Sequence, residues 1–279
     1  MREWSFAVVY YMDRIEQMQD AEIDALMPYV SSERLARAQQ YRFRSDRVQS
    51  LLAFVLLRVA LHLEYDCRRM PRLAVTAEGK PYLADMQGIH FNLSHCKKGV
   101  ACGVADSALG VDIQHYVPFK EALAKRVLTR QELSAVKAGD ADMLFTRLWT
   151  RKESYGKYTG RGICYDMPSF PVREGALEDG SFCQSHVLED FVISVTAAEP
   201  QRLIRLDTAE LPERCRLLET RWHCTENIFP CKRNRSPLHR RRRSVFDCHC
   251  KKGDAHGKLT LSPKTIRPTG VRYYFGVCA

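Results

Sequence analysis

Two carboxylates in unusual surroundings are the clearest sign of chemistry in this chain. Asp112 lies in the apolar segment Gly110–Gln114, which reads as a strand, and an aspartate inside a buried strand is costly unless another group offsets its charge. Glu153 lies in Arg147–Tyr158, a segment with helical spacing of its apolar residues. A strand aspartate and a helical glutamate supply the two carboxylates that a hard cation needs, with water and a substrate phosphate completing an octahedron.

A lysine follows Glu153 by one helical turn. Lys157 is at i,i+4 from Glu153, so the two side chains share a face. One interpretation is an exposed ion pair that stabilises the helix by a few tenths of a kcal/mol. The other is a lysine that reaches a phosphate oxygen of the metal-bound ligand. Asp112 has a comparable alternative, as a salt-bridged or turn-capping carboxylate.

A third polar group precedes Asp112. The segment Phe91–His95, with sequence FNLSH, follows a Gly-Lys-Pro turn at positions 79–81. Taken singly, His95 is typical of a structural histidine. Together, the hydrogen-bonding residues of the two segments predict a surface for a multiply charged phosphate ligand; they are Lys80, Asn92, Ser94 and His95.

The elements that must position these residues alternate between strands and helices. Strands are predicted at 6–12, 90–93, 100–105, 109–113, 170–172, 182–188 and 191–197. Helices are predicted at 20–27, from Ser32 onward, and at 46–63, 119–127, 129–136 and 141–158. The runs at 100–105 and 109–113 flank a short turn and predict a hairpin or strand pair. The pattern predicts an α+β fold of two halves of about 100 residues each, joined near residues 106–110.

The chain changes character after Glu213. Residues 214–279 carry 16 Lys+Arg against 4 Asp+Glu, which leaves 27 against 29 for residues 1–213. The tail has neither helical nor strand periodicity, and it predicts disorder. Two alternatives are zinc binding and a tail foreign to the domain's natural sequence. The candidate zinc ligands are His223, Cys224, Cys231, Cys248, His249 and Cys250.

Cysteine usage and the lengths of the apolar segments indicate the cellular compartment of the protein. The five cysteines before position 214 have no metal-ligand spacing and are typical of reduced, packed side chains. The N-terminal segment lacks the long apolar region of a signal peptide. The longest apolar run, Leu51–Leu63, contains Arg58 and is too short to span a bilayer. We therefore expect a cytoplasmic protein without a membrane partner.

Four segments in register carry a family resemblance. In order and separation, GKPYL, FNLSH, GVDIQ and LWTRKESYGKYTGRGI resemble the 4'-phosphopantetheinyl transferases of the surfactin-synthetase type. In that family a (I/V)G(I/V)D segment is followed about 40 residues later by W-x-x-K-E-x-x-x-K. Here Asp112 and Glu153 are 41 positions apart, and the resemblance covers residues 6–213.

The resemblance implies a fold and a metal site. It implies two similar α/β halves packed as a pseudo-dimer, residues 1–106 and 107–213, with coenzyme A in the cleft between them. Asp112 and Glu153 match the metal ligands for Mg²⁺. Gln114 stands where many members have a third acidic residue, and because an amide brings no negative charge, this departure predicts weaker metal affinity.

The resemblance also implies the residues that bind coenzyme A. Lys157 matches the lysine near the pyrophosphate, and Arg34 and Arg37 match basic residues near the 3'-phosphate. Without the resemblance, those two arginines read equally well as a solvated helix face. The coenzyme A-binding positions implied are Arg34, Arg37, Lys80, Ser94, His95 and Lys157.

The function implied is magnesium-dependent transfer of phosphopantetheine from coenzyme A to a serine of an apo acyl or peptidyl carrier protein. Asp112, Glu153 and Lys157 are the catalytic residues, with Glu153 or a metal-bound water as the base and 3',5'-ADP as the leaving group. We expect a monomer. One alternative is a catalytically weak relative that binds coenzyme A or a carrier. Another is non-specific nucleic-acid binding through the basic tail.

Overall fold

The computed structural model describes residues 6–162, 166–170 and 173–219, and these residues form strands and helices in mixed order. The strands are β1 (Ala7–Asp13), β2 (Leu73–Val75), β3 (Pro81–Leu83), β4 (His90–Cys96), β5 (Gly99–Ala105), β6 (Leu109–His115), β7 (Gly175–Ala176), β8 (Phe182–Val187), β9 (Phe191–Ala197) and β10 (Gln201–Arg205). The helices are α1 (Asp20–Asp24), α2 (Ser32–Gln39), α3 (Arg44–Tyr65), α4 (Glu121–Val127), α5 (Arg130–Lys137), α6 (Ala141–Thr159) and α7 (Leu211–Arg216).

Two four-stranded sheets form the centre of the molecule. The first has the order β10-β1-β5-β4 and the second has the order β6-β9-β8-β7, while β2 and β3 form a separate ribbon. The β1–β10 pair is parallel, and the other pairs are antiparallel. The prediction of an α+β fold with two similar halves is confirmed.

Alternation along the strands sets the layers. In β1, Val8, Tyr10 and Met12 pack in the core that includes α3. Val9 and Tyr11 point the other way, into a second core shared with the apolar residues of β6 and β9. Because successive side chains of a strand point to opposite faces, β1 is buried on both sides. The order of layers is therefore α3, first sheet, second sheet and then α6.

Helix α3 is the main support of the first sheet. Length and composition alone would let it cross a membrane, but 83% of its most apolar window is buried inside this fold. Its one buried arginine, Arg58, donates hydrogen bonds to the carbonyl oxygens of Tyr29, Arg68 and Glu219. Those bonds, made by the two terminal nitrogens of the guanidinium, offset part of the cost of burying its charge.

Helix α6 lies directly on the second sheet because the contact is lined with small residues. A Cβ built on Gly110 would lie 1.9 Å from the carbonyl oxygen of Ser154, so only glycine allows this approach. On the same contact, Ser154 and Thr196 share a hydrogen bond of 2.9 Å between hydroxyl oxygens. The close approach brings the middle of α6 over β6.

The predicted hairpin of residues 100–105 and 109–113 is wrong. Strand β5 pairs with β1 and β4, and β6 pairs with β9, so the two runs belong to different sheets. Both edges of β5 are already occupied, and residues 106–108 carry the chain from one sheet to the other. The predicted strand at 170–172 also differs, since Phe170 is the C-cap of a 3-10 helix, Met167–Ser169; residues 171–172 lie outside the described ranges.

The last described residues return the chain to the first half. Strand β10 pairs with β1, and Leu211, Cys215 and Leu218 pack in the core around α3. The folded chain thus extends past Glu213, because an apolar face too short to show periodicity is buried by α3. The predictions of disorder or zinc binding for the tail fall mainly on residues 220–279, outside the described residues.

Candidate active site

The edges of the two sheets meet at a polar seam between β4 and β6. The side-chain oxygen of Asn92 accepts a hydrogen bond from the amide of Val111 at 2.8 Å. The hydroxyl of Ser94 accepts one from the amide of Ile113 at 3.1 Å. Two residues of the FNLSH segment therefore satisfy backbone groups of the adjoining strand, as buried amides require.

Asp112 faces α6 from the centre of β6 and is 6% exposed. Its Oδ1 accepts hydrogen bonds from the Ser94 hydroxyl at 2.8 Å and from Nζ of Lys157 at 2.7 Å. The Lys157 ammonium also donates to the Ser94 hydroxyl and the Val111 carbonyl, both at 3.0 Å. Asp112 is thus a salt-bridged carboxylate. Lys157 pairs with it from α6 and does not form an exposed pair with Glu153.

Glu153 lies buried on the sheet-facing side of α6 and is 6% exposed. Its Oε1 has no hydrogen-bond partner among the described residues. Burial and the negative charge of Asp112 raise the pKa of Glu153 to about 8, while Lys157 acts in the opposite direction. An orphaned carboxylate oxygen beside a second carboxylate is costly for the fold, and such a cost is typical of functional sites.

The oxygen donors at this position fit a hard cation. Asp112 and Gln114 share one face of β6, where Gln114 is 8% exposed, and Glu153 approaches from α6. Among residues 6–162, 166–170 and 173–219, no three His, Cys, Asp or Glu side chains gather as a metal site. Two carboxylates match Mg²⁺, which takes few protein ligands and completes its shell with water and substrate phosphates.

Lys80 reaches the same seam from the turn between β2 and β3. Its Nζ donates to the carbonyl oxygens of Tyr158, at 3.1 Å, and Leu109, at 3.4 Å. Burial lowers the pKa of Lys80 below its ordinary value. The two acceptors belong to the end of α6 and the start of β6, so Lys80 lies beside the Lys157 turn of the helix.

His95 lies at the end of the site opposite Lys80. Its Nδ1 lies 2.8 Å from Oε1 of Gln49, a buried residue of α3. Burial and the positive charges of Lys157, Arg34 and Arg37 lower the pKa of His95 to about 4. The two arginines, which are partly buried on α2, therefore lie near enough to act on the ring, and Arg34 also stacks over the ring of Phe54.

The structure thus gathers the sequence-predicted residues around one seam. Asp112, Lys157 and Ser94 contact one another. The charges of Lys157 and both arginines lower the pKa of His95. Their roles in binding and catalysis stay predictions.

Sequence reasoning missed two polar residues that hold elements of the site in place. Gln49 gave no signal, because one amide on an apolar helix has no diagnostic spacing. Lys152 is fully buried and donates to the carbonyl oxygens of Met167, at 3.0 Å, and Pro168, at 3.1 Å. Lys152 also pairs with Glu132 at 3.1 Å, so it ties α5 and residues 167–168 to the helix that carries Glu153.

Comparison with known proteins places the chain among relatives of one family. Residues 108–199, which include β6 and α6, match the model of the 4'-phosphopantetheinyl transferase superfamily. The chain is 36% identical to the 4'-phosphopantetheinyl transferase psf-1 of Bacillus pumilus over 164 residues, 57% of this chain and 69% of that protein. It is 31% identical to the 4'-phosphopantetheinyl transferase Sfp of Bacillus subtilis over 167 residues, 58% of this chain and 74% of that protein.

A cyanobacterial relative extends the match. The 4'-phosphopantetheinyl transferase HetI of Nostoc is 28% identical over 195 residues, covering 66% of this chain and 73% of that protein. These sequence matches show that this chain belongs to the 4'-phosphopantetheinyl transferase family, of the type found in the two Bacillus proteins.

Proposed function

We propose that this chain transfers the 4'-phosphopantetheine group of coenzyme A to a serine of an apo acyl or peptidyl carrier protein, with Mg²⁺ as cofactor. One observation carries the proposal: a buried glutamate with an orphaned oxygen lies beside a lysine-paired aspartate. Two carboxylates can hold a cation, and the lysine can contact an anionic substrate, so the pair suits a reaction in which a phosphate group leaves with negative charge.

Asp112 and Glu153 would hold the magnesium ion, with Gln114 adjacent on the same strand face. The ion would supply positive charge that offsets the charge on the pyrophosphate and on the leaving group. Gln114 contributes an oxygen without a negative charge, so the protein places two negative charges at the metal site.

The basic residues of the seam would bind and orient the anionic substrate. Lys157 and Lys80 lie at the end of α6, where they favour the pyrophosphate. Arg34 and Arg37 act on the opposite end, beside His95, where they favour the 3'-phosphate. Because these cations are spread along one seam, a ligand with several phosphate groups satisfies more of them than a ligand with one.

The bond changes need no protein nucleophile. The serine oxygen of the carrier forms a bond to the β-phosphorus, and the bond from that phosphorus to the bridging oxygen breaks, releasing 3',5'-ADP. Glu153, whose Oε1 has no hydrogen-bond partner among the described residues, or a metal-bound water would accept the hydroxyl proton. Lys157 then stabilises the charge on the departing phosphate.

The proposal extends to location and assembly. The five cysteines in the described residues are unpaired, which suits a reducing cytoplasm. Both sides of the seam come from one chain, so a monomer suffices for activity.

The test is incubation of the full chain with coenzyme A, an apo carrier protein and Mg²⁺, followed by intact-mass measurement. We expect the carrier to gain the mass of phosphopantetheine in Mg²⁺. In a parallel incubation with EDTA in place of Mg²⁺, we expect the mass of the carrier to stay unchanged. A carrier with its acceptor serine changed to alanine is the matched control. An unmodified carrier in the complete mixture would overturn the transferase assignment, and full modification in EDTA would overturn the metal.

A further inference from the structure

The contact between Gln49 and His95 constrains where the histidine carries its proton. Oε1 of Gln49 lies 2.8 Å from Nδ1 of His95. In the structure the Gln49 amide turns its oxygen toward Nδ1, and because an amide oxygen only accepts hydrogen bonds, this orientation makes Nδ1 the donor. In the neutral ring the other nitrogen, Nε2, is then an acceptor with a lone pair.

The charges around the ring favour an anionic ligand. His95 is at the end of β4 and is partly exposed, while Gln49 approaches from α3. The charged groups that act on the ring are Arg34 and Arg37 of α2 and Lys157 of α6, all positive. A phosphate drawn by these three cations meets a ring whose free nitrogen cannot donate a hydrogen bond. The neutral ring and the phosphate are therefore mismatched unless the ring gains a proton.

We propose that Gln49 is a positioning residue that fixes the Nδ1–H tautomer of His95, so that His95 takes up a proton from solvent at Nε2 when a phosphate of coenzyme A binds. The inference rests on the proposed function for the identity of the ligand. The step forms one N–H bond and breaks none in the substrate. The resulting imidazolium donates from Nδ1 to Gln49 and from Nε2 to the phosphate.

The electrostatics of the free protein agree with this proton uptake. Burial and the three nearby cations hold the pKa of His95 at about 4, so the unliganded ring is neutral at neutral pH. A bound phosphate carries negative charge into the same space and offsets the positive potential of these cations. Because an opposite charge favours the protonated ring, the pKa of His95 rises on binding, and the affinity for coenzyme A becomes linked to pH.

The tautomer is tested first, without any ligand. Nitrogen-15 NMR of the full chain labelled at histidine distinguishes a protonated Nδ1 from a protonated Nε2, and a His95→Asn variant assigns the signal. We expect the Nδ1–H form in the wild type and the Nε2–H form in Gln49→Leu, whose side chain cannot accept a hydrogen bond. An Nε2–H ring in the wild type would overturn the inference, whether or not the protein is a transferase.

The proton uptake is tested by calorimetry. Coenzyme A and dephospho-coenzyme A are titrated into the full chain in the presence of Mg²⁺, near pH 7, in buffers of different ionisation enthalpy. We expect an uptake of up to about one proton with coenzyme A and clearly less with dephospho-coenzyme A. In Gln49→Leu the difference should disappear, because an Nε2–H ring donates to phosphate without gaining a proton. The matched control is Gln39→Leu, an exposed glutamine of α2 that should keep the wild-type difference.

The outcomes separate this inference from the proposed function. Coenzyme A that binds with no difference in proton uptake would overturn only the role of His95 and Gln49. An undiminished difference in Gln49→Leu would overturn the positioning role. Absence of coenzyme A binding in the wild type would overturn both the substrate and the proton linkage, whatever the tautomer proves to be.

Discussion

The ammonium of Lys157, on α6, lies 2.7 Å from a carboxylate oxygen of Asp112, on β6. The pair explains how β6 tolerates an aspartate that is 6% exposed, because the lysine offsets the charge that burial penalises. It also leaves Glu153, one turn earlier on the helix, without a cationic hydrogen-bond partner among the described residues. The two carboxylates of the site are thus held in different electrostatic states.

The first prediction concerns these carboxylates. Asp112→Asn and Glu153→Gln should each lower transfer on the order of a thousandfold, since each removes a charge proposed to hold the metal. Asparagine is preferred to alanine at position 112 because it keeps an oxygen for Ser94 and Lys157. Transfer rates at saturating Mg²⁺ are the measurement, and Asp24→Asn, an exposed change, is the control. Near wild-type turnover in Glu153→Gln would contradict the metal assignment.

The second prediction concerns the pH dependence of stability. The pKa of Glu153 is about 8 in the fold and 4.5 ordinarily, so the folded state binds this proton more tightly than the unfolded chain. Stability of the metal-free protein should therefore fall as pH rises from about 4.5 to about 8. Urea unfolding in EDTA should show this loss in the wild type and a flatter curve in Glu153→Gln. Parallel curves for the two proteins would rule out the buried, protonated glutamate.

The third prediction concerns Arg34 and Arg37. Replacing both by alanine should raise the KM for coenzyme A far more than that for dephospho-coenzyme A, which lacks the 3'-phosphate. The reason is that both arginines act at the His95 end of the seam. Steady-state kinetics with the two substrates are the measurement, and Arg47→Ala, an exposed change on α3, is the control. Equal effects on both substrates would remove the arginines from the phosphate site.

The fourth prediction concerns Gln114. Gln114→Glu should lower the magnesium concentration needed for half-maximal transfer, because it adds a negative charge beside Asp112 and Glu153. Transfer rate against Mg²⁺ concentration at saturating coenzyme A is the measurement, and the direction of the shift is the result sought. Superimposable curves would place residue 114 outside the metal's surroundings. Total inactivity would mean that the amide itself is required.

The fifth prediction concerns the end of the folded chain. A chain ending at Glu219 should keep the stability and transfer rate of the full protein and lose any nucleic-acid binding carried by the basic tail. A chain ending at Glu213 should lose roughly 2–5 kcal/mol of unfolding free energy, because Cys215 and Leu218 leave the core around α3. Chemical denaturation and the mass assay check both chains. Equal stability of the two truncations would show that residues 214–219 contribute nothing.

The helices and the two carboxylates were predictable because their signals are local. The apolar spacing of α3 and α6, the capping box of Thr129 and Glu132, and the cap of α2 by Ser31 all depend on residues within a few positions of one another. Asp112 and Glu153 stand out for the same reason: each is a charge in an apolar local pattern. Residue type and spacing alone therefore determined the fold class and the chemical character of the site.

Only the tertiary structure decided which groups meet. Strands β5 and β6 lie in different sheets because β1 and β4 already occupy the edges of β5. Lys157 pairs with Asp112, 45 positions earlier, and Gln49 contacts His95, 46 positions later. Such pairs leave no periodic trace in the sequence, because burial and hydrogen-bond satisfaction depend on the whole set of packed layers. The charge state of Glu153 and the tautomer of His95 are thus properties of the fold rather than of the local sequence.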